Sequence, residues 1–210
     1  MDSDATVATP LALRPELVLS ARTSLGKLQA VSESTARWRS VGASWTIDSM
    51  RDVDERFVDF WRDADDSDPV RVRTEMDELL TTADCSDARA LFERASLEDF
   101  LGAESAAVPL YEASLAHGLD VDRENRARIQ LASSLRNIGR HDDALKILDG
   151  FEFSNDYVSA RNAFVALTLW DMGDRAGALR GALQAADPAL GKYRRAIGAY
   201  ASELSNDEQP

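Results

Sequence analysis

The sequence predicts an all-α fold, a solenoid of antiparallel helical hairpins with about three units, a divergent hairpin before them and a capping helix after them. Apolar residues recur with helical period from Met50 onward. A spacing of small residues also repeats three times at intervals near 35 residues. With 210 residues and 44% hydrophobic content, the chain can fill one core of ordinary size and not two.

Residues 1–49 are expected to form a flexible or weakly helical N-terminal extension. They hold as many basic as acidic side chains and show little periodicity. The exception is a predicted amphipathic helix from Glu16 to Val31, built on Leu17, Ala21, Leu25 and Leu28. The composition shifts near Met50, which makes Met50 an alternative first residue. Residues 50–205 are expected to be the helical repeat domain. Val53, Phe57, Phe60, Trp61 and Ala64 put one apolar face on the first helix, and "DADDSDP" ends it. Asp68 then stands where a cap belongs and Pro69 where a first helical turn tolerates proline. Val72, Met76, Leu79, Leu80 and Ala83 make the face of a second helix. The alternation Asp63, Asp65, Ser67 imitates a calcium loop. However, Asp68 replaces the required glycine and Thr74 the closing glutamate, so a solvated turn is expected.

From Ala88 the repeat proper begins. Alanine, six residues, glycine, four residues, alanine occurs as Ala95, Gly102, Ala107, then Ala132, Gly139, Ala144, then Ala166, Gly173, Ala178. Paired helices cross closely where small residues face each other, and glycine supplies the positive φ that ends the first of them. Each hairpin buries its apolar face only by stacking on its neighbours. Units are expected near 88–124, 125–158 and 159–192. A final helix from Leu190 to Leu204, carrying Tyr193, Ile197 and Tyr200, is expected to cover the open end. Residues 206–210 are expected to be a disordered tail.

These residues resemble the tetratricopeptide repeat family. The middle unit is the closest match, with Leu131, Ala132, Leu135, Gly139, Ala144 and Leu148 in the family's packing positions. The stretch from Ala88 to Gly150 is similar to the group 5 tetratrico peptide repeat proteins, a bacterial subfamily. The resemblance implies a right-handed solenoid acting as an interaction domain, often dimeric, with no catalytic residues to carry over.

Composition excludes several other functions. A net charge of −13 opposes binding to phosphate backbones and anionic membranes. With Cys85 as the only cysteine, no intrachain disulfide can form, and a cytoplasmic location is expected. No catalytic, cofactor or metal residues are predicted. His117 and His141 sit at helix ends, Asp142 and Asp143 fall in a first helical turn that favours carboxylates, and no His or Cys pair has zinc-ligand spacing.

What remains is a binding surface. Arg126, Arg128, Arg136 and Arg140 form a basic island with no acidic residue between Glu124 and Asp142. In such a repeat the first helix of each unit lines the inner groove, which here points to Phe92, Arg126, Ile129, Ser133, Arg136, Asn137 and Trp170. A basic centre flanked by aromatics suits a peptide or helix bearing carboxylates. The opposing reading pairs these arginines with acids of neighbouring helices, such as Asp99 or Asp171. Two functional classes therefore stay open. One is a non-catalytic module that binds a protein partner or a second copy of itself. The other is a sensor of small anionic ligands, or an accessory enzyme subunit, with a pocket near Arg126, Arg136 and Trp170.

Overall fold

The computed structural model describes residues 47–83 and 85–204. The predicted helix at Glu16–Val31 and the tail lie outside them. The chain divides into two compact units, one ending at Cys85 and one beginning at Ser86. Among the described residues the elements are nine α-helices and two short 3-10 turns.

The described part of the first unit is a helical pair, α1 (Ile47–Asp63) and α2 (Pro69–Thr82), and Met50 lies in the first turn of α1. The expected apolar stripe is the buried one. Phe57 and Trp61 are buried, and Phe60 meets Trp61 edge-on with ring centroids 5.2 Å apart. Val72 and Met76 of α2 are fully enclosed. Such burial contributes about 1.5–3 kcal/mol for each large side chain. The acidic turn is occupied with its own backbone: Asp65 Oδ1 accepts from Ser67 N at 2.9 Å, and Asp68 Oδ1 accepts from Arg71 N at 3.1 Å. The Ser67 bonds hold the Asp65 carboxyl below its usual range. Arg56 of α1 donates to Thr82 Oγ1 of α2 at 2.5 Å, tying the pair together at its open end.

The second unit consists of α3 (Asp87–Phe100), α4 (Glu104–His117), α5 (Val121–Asn137), α6 (His141–Asp149), α7 (Asn155–Asp171), α8 (Arg175–Ala186) and α9 (Arg194–Ser202). Helices pack as hairpins α3–α4, α5–α6 and α7–α8, and the second helix of each hairpin touches the first helix of the next element. Helices α3, α5 and α7 also lie side by side, with α5 touching both. This is the stacking of an all-α helical repeat.

The recurrent spacing has a single physical cause. Gly102, Gly139 and Gly173 all adopt positive φ, at 69°, 80° and 85°. In each turn the next residue's N–H reaches back five residues, from Ala103 to Glu98 O, Arg140 to Leu135 O and Asp174 to Leu169 O, at 2.8, 2.8 and 3.0 Å. This is the six-to-one bond of a glycine-terminated helix. The alanines on either side, Ala95 and Ala107, Ala132 and Ala144, Ala166 and Ala178, are all buried. At the last crossing the approach is closer still, because a Cβ on Gly181 would lie 3.1 Å from that of Ala166.

Around these crossings runs one core, with Phe92, Val108, Tyr111, Ile129, Leu131, Leu135, Leu148 and Phe153 among its members. Tyr111 is fully enclosed and donates to Ser96 Oγ at 3.4 Å. Helix α4 continues through Pro109, which carries no N–H for the ladder.

The closing helix differs from expectation. Instead of one helix from Leu190, two 3-10 turns, Asp187–Ala189 and Gly191–Tyr193, precede a shorter α9. Gly191, at φ 52°, breaks the run. Helix α9 then rests on α8 through buried Ala201, while Arg180 of α8 donates to the carbonyls of Ala201 and Leu204 at 3.3 and 2.6 Å. Tyr193 and Tyr200 face outward, at 61% and 68% exposure, rather than covering α8.

Candidate interaction surface

The side on which α3, α5 and α7 lie together is where the groove residues were expected. Phe92, Ile129 and Ser133 are buried there, so they pack between helices and offer no contact surface. Phe92 faces Tyr111 at 6.2 Å between ring centroids, and Ile129 belongs to the core. Phe92 lies on α3, and Ile129 and Ser133 lie on α5. The positional rule could not tell that neighbouring side chains close over them.

The basic island is neutralised within the protein. Arg128 pairs with Glu124 at 2.7 Å and lies 4.2 Å from the centre of the Phe151 ring. Arg126 has Asp122 at 3.8 Å and sits 5.2 Å from the Phe92 ring centre. Arg140 pairs with Asp143 at 2.8 Å, and Asp143, held below its usual pKa by Lys146 and Arg140, serves both cations rather than capping α6. Arg136 pairs across hairpins, its Nε 2.6 Å from Asp171 Oδ2. That oxygen lies off the N–H direction, so the contact is an ion pair and not a hydrogen bond. Asp99, the other expected partner, has no arginine beside it among the described residues. It accepts from Ser134 Oγ at 2.8 Å.

The last turn of α5 is therefore a cross-hairpin brace. Ser134 holds Asp99 at the end of α3, Asn137 Nδ2 donates to Glu104 Oε1 at the start of α4 at 3.1 Å, and Arg136 reaches Asp171 at the end of α7. Burial lifts the Asp99 carboxyl to about 7; the Ser134 bond opposes the rise and the charge of Glu104 adds to it. At the other end of α5, Asn125 is enclosed and joins two elements: its Nδ2 donates to Val121 O at 2.6 Å, and its Oδ1 accepts from Ser154 N at 2.9 Å, at the entry to α7. Tyr157 donates to Asp122 Oδ1 at 2.5 Å. These long-range partners have no local signature in the sequence.

An apolar strip on α7 remains open. Leu167 and Trp170 are 43% and 57% exposed, one turn apart, with half-buried Ala163 a turn earlier. The Arg175 guanidinium covers part of the indole at 4.7 Å from the ring centre. Among the expected groove residues, then, Trp170 is open, Asn137 is exposed but committed to Glu104, and the two arginines are about a quarter exposed and paired. A cleft of about 330 Å³ lies beyond them, between Asn155, Ser159 and Asn162 of α7 and Gln184, Asp187 and Arg194. Among the described residues no group of three or more His, Cys, Asp or Glu is placed to hold a metal ion. No described helix is long and apolar enough to cross a membrane.

Stacked hairpins around a glycine turn define an all-α helical-repeat protein. The tetratrico peptide repeat family model matches residues 88–204, more than half of the chain, so the protein belongs to that family. Members are generally protein–protein interaction modules and non-catalytic scaffolds. Neither a curated protein nor a solved structure matches the chain.

Proposed function

We propose that this protein is a non-catalytic module that holds a peptide or helix of a partner protein against the α7 side of its inner face. The Leu167–Trp170 strip carries the reading. Two large apolar side chains one turn apart, partly desolvated by their neighbours, form the kind of anchor on which contact energy concentrates. Arg136 of α5 supports the strip by joining its helix to the end of α7. The charges of Arg126, Arg128 and Arg136 are already matched by Asp122, Glu124 and Asp171.

The test is affinity capture with the full chain from its native cell, read by mass spectrometry, beside the same capture with Leu167→Ala plus Trp170→Ala. A polypeptide that co-purifies with the native protein should be lost, at least tenfold, from the double variant. Undiminished capture by a variant whose circular dichroism is unchanged would refute this role for α7.

A further inference from the structure

The residues from Pro188 to Ser202 contain Lys192, Arg194 and Arg195 and no acidic side chain, in a chain whose net charge is −13. Elsewhere in the structure the pattern is different: Arg62, Arg71, Arg123, Arg128 and Arg140 each sit beside a carboxylate three or four residues away on the same stretch of chain. Arg194 reaches Asp187, with Nε to Oδ1 at 2.8 Å. Arg195 has no hydrogen-bond or ion-pair partner among the described residues. Lys192 Nζ stands 5.2 Å from the Tyr193 ring centre, so its charge is directed over an exposed aromatic ring.

The orientation of α9 adds a second observation. A helix that served only to cover α8 would turn its rings inward. Here Ala201 makes the buried contact and Arg180 grips backbone carbonyls, while Tyr193, in the turn before the helix, and Tyr200, on the helix, are left in water. Exposed Ala196 and Ala199 lie between Tyr200 and Arg195 and keep the surface between them low. Tyrosine and arginine are the residue types in which binding energy concentrates, and unmatched cations select carboxylates.

We infer that the outer face of α9 and of the 3-10 turn before it, built on Lys192 and Tyr193 of the turn and Arg195 and Tyr200 of the helix, is a second binding surface that takes an acidic segment of a partner protein. Lys192 and Arg195 favour carboxylates, and the tyrosines supply flat apolar contact beside them. Phosphate backbones are disfavoured, because the rest of the chain would repel a long polyanion. This surface is separate from the α7 strip, and it stands or falls without it.

The experiment is a fluorescence-anisotropy titration of the full chain with a fluorescein-labelled helical peptide whose glutamates flank a row of leucines. A labelled oligothymidylate runs in parallel, and light scattering on the chain alone reports its mass. Saturable peptide binding that weakens with salt is expected. It should fall about tenfold in Lys192→Glu plus Arg195→Glu and about fivefold in Tyr200→Ser, and stay unchanged in Trp170→Ala. Equal peptide affinity in the charge-reversed variant would overturn the inference. So would preference for the oligothymidylate, or a dimer that dissociates on Arg195→Glu in a chain that ignores the peptide. The substituted side chains are exposed, and an unchanged circular dichroism spectrum separates lost binding from lost fold.

Discussion

Arg136 and Asp171 meet across two hairpins, with Nε and Oδ2 2.6 Å apart, joining the last turn of α5 to the last turn of α7. Their side chains are about a quarter exposed, so solvent screens the pair, and its worth lies between that of a surface bridge and a buried one. Arg136→Ala and Asp171→Ala should show a coupling of about 0.5–1 kcal/mol in a double-mutant cycle followed by urea unfolding. Purely additive effects would mean that the pair does not form in solution.

Asp99 should make stability depend on pH. Its folded value, about 7, lies above the ordinary carboxylate value of 3.8. Folding therefore favours the protonated form. The associated stability is complete below about pH 4, declines as pH rises, and is gone above about pH 7. From this group alone the loss across that window is on the order of 3 kcal/mol. Asp99→Asn can still accept from Ser134 and cannot ionise. Its advantage over the native protein should appear above pH 5 and level off near pH 8 in melts taken at a series of pH values.

Asn125 is enclosed and satisfies Ser154 N–H while bonding Val121 O. Asn125→Ala strips the entry of α7 of that acceptor and should cost about 2 kcal/mol. Amide exchange at Ser154 should accelerate more than exchange in α3, because the damage is local.

Two glycines should respond oppositely to added side chains. At Gly181 a Cβ already lies 3.1 Å from Ala166, so Gly181→Val must separate α7 from α8 and should cost about 2–3 kcal/mol. At Gly198 a Cβ would meet nothing within 4 Å, and Gly198→Ala should stabilise α9 by about 0.5–1 kcal/mol. Thermal melts of the two variants would check both signs.

The hairpin plan could be read from the sequence because geometry leaves few residues able to do the work. Only small side chains fit the crossings at Ala132 and Ala144, and Gly139 holds a φ of 80°. The surface was harder to read. The basic island begins directly after Asp122 and Glu124, which neutralise Arg126 and Arg128 at helical spacing, yet counting charges from Glu124 onward hides them. The sequence offers Arg136 two acidic partners, Asp99 and Asp171, and geometry selects Asp171. Phe92 and Ile129 followed the family's positional rule and proved to be core, since that rule gives direction and not depth. Of Tyr193, Ile197 and Tyr200, only Ile197 is half-buried, one turn before buried Ala201, while the two tyrosines face water; the break at Gly191 takes Tyr193 out of the helix.

The grip of Arg180 on the carbonyls of Ala201 and Leu204 has a consequence for how this protein can change. Peptide carbonyls are present whatever the side chains are. On its own side the last helix is therefore anchored by parts that no substitution in it removes, so long as Arg180 is kept, and its outer residues are released from any duty to hold it in place. Selection can redraw that surface one side chain at a time, exchanging one partner for another, while the stacked hairpins beneath keep their crossings.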